Sequence, residues 1–191
     1  MKKRYGALAA FTLVEVTVVM GIMMAETNNY GDVTKIAYQE SCENNLRQIY
    51  QGLVMYDMNN GSLPDAKFYP DNPRKDPKSI VKLMDEAYQK LFVCPVFPGA
   101  IKDKGLTYIY NDTLKGQSLG TVSDPEKTWL MTELNAVSDK IKMPHPGGFH
   151  ILYADGKVKV TKSIPSDLSE LAKRAEKAKE AEKKKDEKKG S

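Results

Sequence analysis

Apolar and polar positions along this chain follow three rhythms, and each predicts a different element. Residues 11–25 are apolar apart from Thr12, Glu15, Thr17 and Gly21, which predicts one apolar helix. Past the polar stretch 26–32, apolar positions recur at Tyr38, Cys42, Leu46, Ile49, Leu53 and Tyr56. Steps of three and four place them along one stripe of an amphipathic helix, destined for core packing. The two patterns together predict a long N-terminal helix ending at Asn59-Asn60-Gly61, with Pro64 just beyond. Tyr30-Gly31-Asp32 is where that helix would be interrupted.

The third rhythm is short and strand-like. After a Pro- and Lys-rich loop at 65–78, Asp76-Pro77 reads as the N-cap and first position of a short helix running to about Leu91. Residues 107–111, 128–132, 149–154 and 157–161 are rich in β-branched and aromatic residues and are separated by turn formers. Asp155-Gly156 between the last two predicts a two-residue primed hairpin turn, with positive φ at both central positions. Three or four antiparallel strands against one long helix make an α+β domain, its helices packed on one face of the sheet. The chain then divides into a leader at 1–10, an apolar helix at 11–25, an amphipathic extension at 26–60, a globular α+β domain at 61–162 and a charged tail at 163–191.

Composition narrows the picture. At 191 residues, 41% hydrophobic and 28% charged, the chain suits one modest domain with appendages. Its net charge of +4 loses its apparent meaning once located, since Lys2, Lys3 and Arg4 supply three of those charges. The chain beyond the leader is nearly neutral and gives no reason to expect a nucleic-acid partner. Residues 167–189 alternate Lys, Arg and Glu with scattered Ala and Leu, and Glu170 with Lys173 or Glu176 with Lys179 form helical three-apart pairs. This segment reads as a solvated helix or a partly ordered tail, with too few apolar positions after Leu171 to dock firmly.

Glu15 is the position that demands a reason. A carboxylate at the centre of a membrane helix costs about 2.5–3.5 kcal/mol by insertion scales, so one placed there tends to serve function. With the basic leader before it, the stretch Ala10-Phe11-Thr12-Leu13-Val14-Glu15-Val16 resembles the N-terminus of type IV prepilins and type II secretion pseudopilins. The resemblance implies cleavage between Ala10 and Phe11 by a prepilin peptidase, methylation of the new amino group, and Glu15 as fifth residue of the mature chain. It implies as partners that peptidase, other pilin-like subunits or further copies of the chain, and the bacterial inner membrane, with the globular domain on the extracytoplasmic side. The physical logic is an ion pair in a low-dielectric layer between the Phe11 amine and a neighbouring subunit's Glu15. Losing one partner of such a pair costs roughly 3–5 kcal/mol, which fixes stagger between subunits.

An ordinary secretory signal is the other reading of the same leader. Its cleavage site would have to follow the apolar run, whereas Ala7 and Ala9 precede most of it and Met23-Met24-Ala25 places a bulky residue three back. Length also matters. Residues 11–25 at about 1.5 Å each fall short of a hydrocarbon core of about 30 Å, while residues 6–25 just reach it. An uncleaved precursor would therefore span, basic end inward, and a mature form would sit shallowly or be held by its neighbours.

The C-terminal half carries a second motif: His145, nine residues, then Asp155-Gly156, with Pro146, Gly147 and Gly148 leading into a strand. It is similar to the H-x9-D-G signature of a pseudopilin branch, as residues 127–133 and 41–65 are to that branch's other segments. Asp155-Gly156 is sufficiently explained as a hairpin turn. His145, His150 and Asp155 lack a standard ligand spacing, so no metal is expected there. Major pseudopilins often hold calcium in a loop corresponding to residues 133–143, which here offers only Glu133, Asn135 and Asp139 and reads as a solvated loop; no cofactor is expected.

Cys42 and Cys94 would lie in a disulfide-permissive compartment if the domain is extracytoplasmic. A bridge would tie the long helix to Phe92-Val93-Cys94-Pro95; two free buried thiols are the alternative. No Ser/His/Asp set, phosphate loop or metal cluster emerges, so an enzyme is not expected. Two classes of function stand: a structural pilin-like subunit assembled through its N-terminal helix, and a membrane-tethered binding module that does not polymerise.

Overall fold

The structure is a computed structural model that describes residues 13–138, 141 and 147–189, with side chains described within 36–181. Ala10, Phe11 and His145 lie outside the described residues, as does the side chain of Glu15. The chain forms two compact units, one up to Ala37 and one from Tyr38 onward. Among the described residues no helix is long and apolar enough to cross a membrane.

Helix α1 spans Leu13–Asn60. It passes through Gly31, where an interruption was expected; a mid-helix glycine costs about 1 kcal/mol relative to alanine, too little to stop a helix carried by residues on both sides. It ends at the expected place, with Gly61 at φ +75° and its N–H donating to the Asp57 carbonyl at 2.7 Å. The apolar stripe docks from its second member onward. Cys42, Leu46, Ile49 and Leu53 are fully buried, whereas Tyr38 is 43% exposed. Burying each aliphatic side chain of this set stabilises the fold by about 1.5–3 kcal/mol.

The expected single helix up to Leu91 is instead several short pieces: α2 (Ile80–Leu83), α3 (Glu86–Gln89) and a 3-10 turn (Lys90–Phe92). Asp76 does not cap a helix. Its carboxylate accepts from the Lys78 N–H at 2.9 Å in a local turn, and Asp85 caps α3 by accepting from the Ala87 N–H. A further turn of helix, α4 (Gly99–Lys102), leads into the sheet. Gly52 of α1 makes room for these pieces, because a Cβ there would lie 2.7 Å from Met84 Cε and 2.9 Å from the Tyr88 ring.

Four strands, β1 (Tyr108–Tyr110), β2 (Trp129–Glu133), β3 (Phe149–Tyr153) and β4 (Val158–Thr161), form an antiparallel meander in the order β1-β2-β3-β4. A bulge between Trp129 and Met131 lets consecutive side chains, Leu130 and Met131, both enter the core shared with α1. The expectation that helices cover one face is corrected here. Tyr108, Tyr110 and Leu152 pack with α1, while Ile109, Trp129 and Ile151 pack on the other side with Phe68, Leu168 and Leu171. The latter two leucines belong to α5 (Leu168–Lys189), so the sheet is sandwiched. Beyond Leu171 the docking fades to the partly buried Ala172 and Ala175.

Candidate functional site

Among the described residues, the seam between α1 and the sheet gathers Cys42, Cys94, Asp155 and Gly156 of those singled out in the sequence. Cys42, inside the buried stripe, forms a disulfide with Cys94, with the Cα atoms 5.3 Å apart. The receiving segment is held in place by Thr107, whose Oγ1 accepts from the Cys94 N–H at 2.7 Å and whose own N–H donates to the Phe92 carbonyl at 2.9 Å. A bridge across 52 residues stabilises the fold by about 4 kcal/mol on the chain-entropy account. One turn further along α1, Asn45 Nδ2 donates to the Val93 carbonyl at 3.3 Å.

Below the bridge lies a buried acid that sequence reasoning placed in a solvated loop. Glu133 is the last residue of β2 and fully buried, and Asn135 is nearly so. Strand pairing decides this: Thr132 faces Ile151, which brings position 133 against His150. The His150 N–H donates to Glu133 Oε2 at 3.2 Å, and His150 Nδ1 lies 3.1 Å from Oε1. With the carboxylate ionised, Nδ1 carries the donated proton. Thr132 Oγ1 donates to the His150 carbonyl at 3.0 Å and closes the unit. Tyr108, also fully buried, has its hydroxyl pKa pushed well above the ordinary value, first by burial and then by the Glu133 charge, against an opposing hydrogen bond with Asn45. The signal available in the sequence was parity: Glu133 lies two residues after Met131, on the same side of the strand. Glu133 and Asn135 are thus committed inward and do not belong to the solvated loop expected at 133–143; Asp139 lies outside the described residues.

Asp155 and Gly156 form the β3–β4 turn, though not the expected primed one. Gly156 has φ +82° and Asp155 is not in the positive-φ region. The Gly156 N–H donates to the Tyr153 carbonyl at 3.0 Å and the Tyr153 N–H to the Lys157 carbonyl at 2.9 Å, a three-residue turn with a left-handed glycine at its end. The turn rests on α1: Tyr50 donates its hydroxyl to the Ala154 carbonyl at 3.2 Å, and a Cβ on Gly156 would sit 2.5 Å from the Tyr50 ring. Asp155 accepts from the Lys157 N–H at 3.0 Å and pairs with its ammonium at 2.9 Å. Burial alone would raise the Asp155 pKa, but Lys157, with Lys159 behind it, outweighs burial and holds it below the ordinary value. His150 and Asp155 have separate partners.

At the helix's far end, Asp57 Oδ2 accepts from Ser118 Oγ at 2.9 Å and from the Leu119 N–H at 3.1 Å. Between Tyr38 and Asn60, then, α1 is fastened to the domain by a covalent bond, side-chain hydrogen bonds and an apolar stripe, while Met55 and Met58 remain exposed. A separate cleft of about 780 Å³ opens between the 65–78 loop and α5. Its Lys78–Asp65, Lys115–Asp65 and Lys67–Asp76 pairs neutralise one another, and Asp65 has its pKa lowered chiefly by its hydrogen bond with Lys78.

What these features define is an α+β domain fastened to residues 38–60 of α1. Comparison with known proteins finds no matching family model, no matching curated protein and no matching solved structure.

Proposed function

We propose that this chain is a structural subunit of a type II secretion or type IV pilus-like assembly, a pseudopilin or minor pilin. In this reading it is inserted in the bacterial inner membrane with its domain extracytoplasmic. A prepilin peptidase cuts it between Ala10 and Phe11, and the mature chain packs with other subunits through its N-terminal helix. The observation that carries the reading is Glu15, one acid in an apolar run directly behind a basic leader. The fastening of α1 at Cys42, Asn45, Tyr50 and Asp57 supports it, since a subunit held by its helix must pass force into its domain.

A second reading, a membrane-tethered binding module that does not polymerise, is favoured by the brevity of the apolar run at 11–25. The N-terminal residue of protein isolated from its native membrane, determined by intact mass and terminal sequencing, separates the two. A methylated Phe11 supports the filament subunit. Met1 promotes the tethered module, and a start near Glu26 means ordinary secretion and overturns both.

A further inference from the structure

Cys42 Sγ, Cys94 Sγ and a Glu133 carboxylate oxygen lie within 4.8 Å of one another, and all three residues are fully buried. In the disulfide form the sulfurs are spent on each other. The same three side chains make a different object once the sulfurs are thiols. We propose that the thiol form of this protein binds a thiophilic divalent cation such as Zn²⁺ between Cys42, Cys94 and Glu133, and that the disulfide form does not.

The geometry asks for little movement. Zinc–sulfur bonds of about 2.3 Å at tetrahedral angles put two thiolates about 3.8 Å apart. That spacing fits within the 4.8 Å that already encloses both sulfurs and the carboxylate oxygen. Charge argues the same way. Two thiolates beside a carboxylate would be an uncompensated anionic cluster out of water, and a dication is what such a set requires. Two sulfurs select zinc or its soft relatives over calcium or magnesium. His150 holds both oxygens of Glu133, Oε2 by its backbone N–H and Oε1 by Nδ1, and so supplies the outer hydrogen bonds that orient a metal-bound carboxylate. Three protein ligands leave the fourth position to water.

The redox step balances with a dithiol as reductant. Its two sulfurs join in a disulfide, and the two hydrogens they give up pass to Cys42 and Cys94. Zn²⁺ then displaces both thiol protons into solvent. Because both sulfurs are buried, loading is done through the opened chain.

The full-length chain is reduced with a dithiol in denaturant, desalted without oxygen, refolded with Zn²⁺ and desalted again, with folding followed by circular dichroism. One zinc per chain by elemental analysis is expected, with both thiols protected from alkylation. The oxidised chain taken through the same steps should retain none, and so should the double variant Cys42→Ser with Cys94→Ser. Glu133→Gln should weaken retention at least about tenfold. Cobalt in place of zinc should show thiolate charge-transfer absorption, which reads the ligands directly whatever the variants' stability. The proposal is overturned if the reduced, refolded chain holds no zinc, if the oxidised chain holds as much, if Glu133→Gln leaves retention unchanged, or if the reduced chain does not refold with zinc.

Discussion

The two faces of the sheet are covered by helices held in opposite ways. On one face α1 is joined by a disulfide, packs Leu46, Ile49 and Leu53 completely, and lies over the buried Glu133–His150 unit. On the other, α5 inserts Leu168 and Leu171, Asp167 just before it accepts from Trp129 Nε1, Arg174 pairs with Asp112, and burial fades to the partly buried Ala172 and Ala175. Burial behind α1 is deep enough that a polar group there must be paired, so its chemistry is all or nothing. The α5 contact is shallow enough to open by itself. Local unfolding free energies within one domain range from near zero up to the global value, and the lower values belong to elements with few buried contacts.

The largest effect should come from the polar unit under α1. His150→Ala removes the ring from Glu133 Oε1 while the backbone N–H at position 150 still serves Oε2; a buried carboxylate short of one hydrogen bond, beside the cavity the ring leaves, costs about 3–5 kcal/mol. Equilibrium denaturation should show a lower midpoint for the whole domain, with sheet and helix signals lost together. A loss below about 1 kcal/mol would mean that water reaches Glu133, and the contrast between the faces would fail.

Next is the bridge. Replacing Cys42 and Cys94 by Ser should cost about 2–4 kcal/mol in the same experiment, and adding reductant to the variant should change nothing further. The cost should also be global, because the bridge ties α1 to the segment that Thr107 fastens to the sheet.

The α5 face should answer differently. Leu168→Ala removes one fully buried side chain, a change worth about 2–3 kcal/mol at a site that relaxes easily. Hydrogen exchange should show that loss confined to α5, with β1–β4 keeping their protection. The chain's only tryptophan, Trp129, sits under the start of α5 and reports the same event by fluorescence. Equal loss of protection in β2 and β3 would show that the two faces unfold as one.

How far the fold could be read from the sequence obeys the same division. The α1 stripe and all four strands were legible because packing against one neighbour leaves a periodic trace, three and four apart in the helix or β-branched runs between turns. Positions packed under two neighbours were not. Trp129-Leu130-Met131 reads as a plain apolar run; the second helix explains why Trp129 is buried opposite Leu130, and the bulge why Leu130 and Met131 share one side. Glu133 looked solvated because acids usually are; its inward turn depends on His150, seventeen residues on, and on the register that brings them together. Asp76 and Asp85 show the local limit. Both are good caps by residue type, yet only Asp85 starts a helix, since Asp76 satisfies the Lys78 N–H in a turn of its own.

The smallest effect belongs to the rim of the α1 face, where the β3–β4 turn meets water. Asp155 has its pKa lowered in the folded state by Lys157 and Lys159 despite the opposing effect of burial. A carboxyl whose folded pKa is depressed contributes stability above its unfolded value, near pH 4, and loses it as pH falls through the lower folded value. Asp155→Asn should therefore lower stability slightly at neutral pH, in the range of surface ion pairs, and leave it unchanged once the wild-type carboxyl is protonated. Stability curves of the two proteins should differ near pH 7 and converge in acid. Persistent separation at low pH, where neither side chain carries a charge, would make the turn's geometry, and not its charge, what joins this rim to Tyr50.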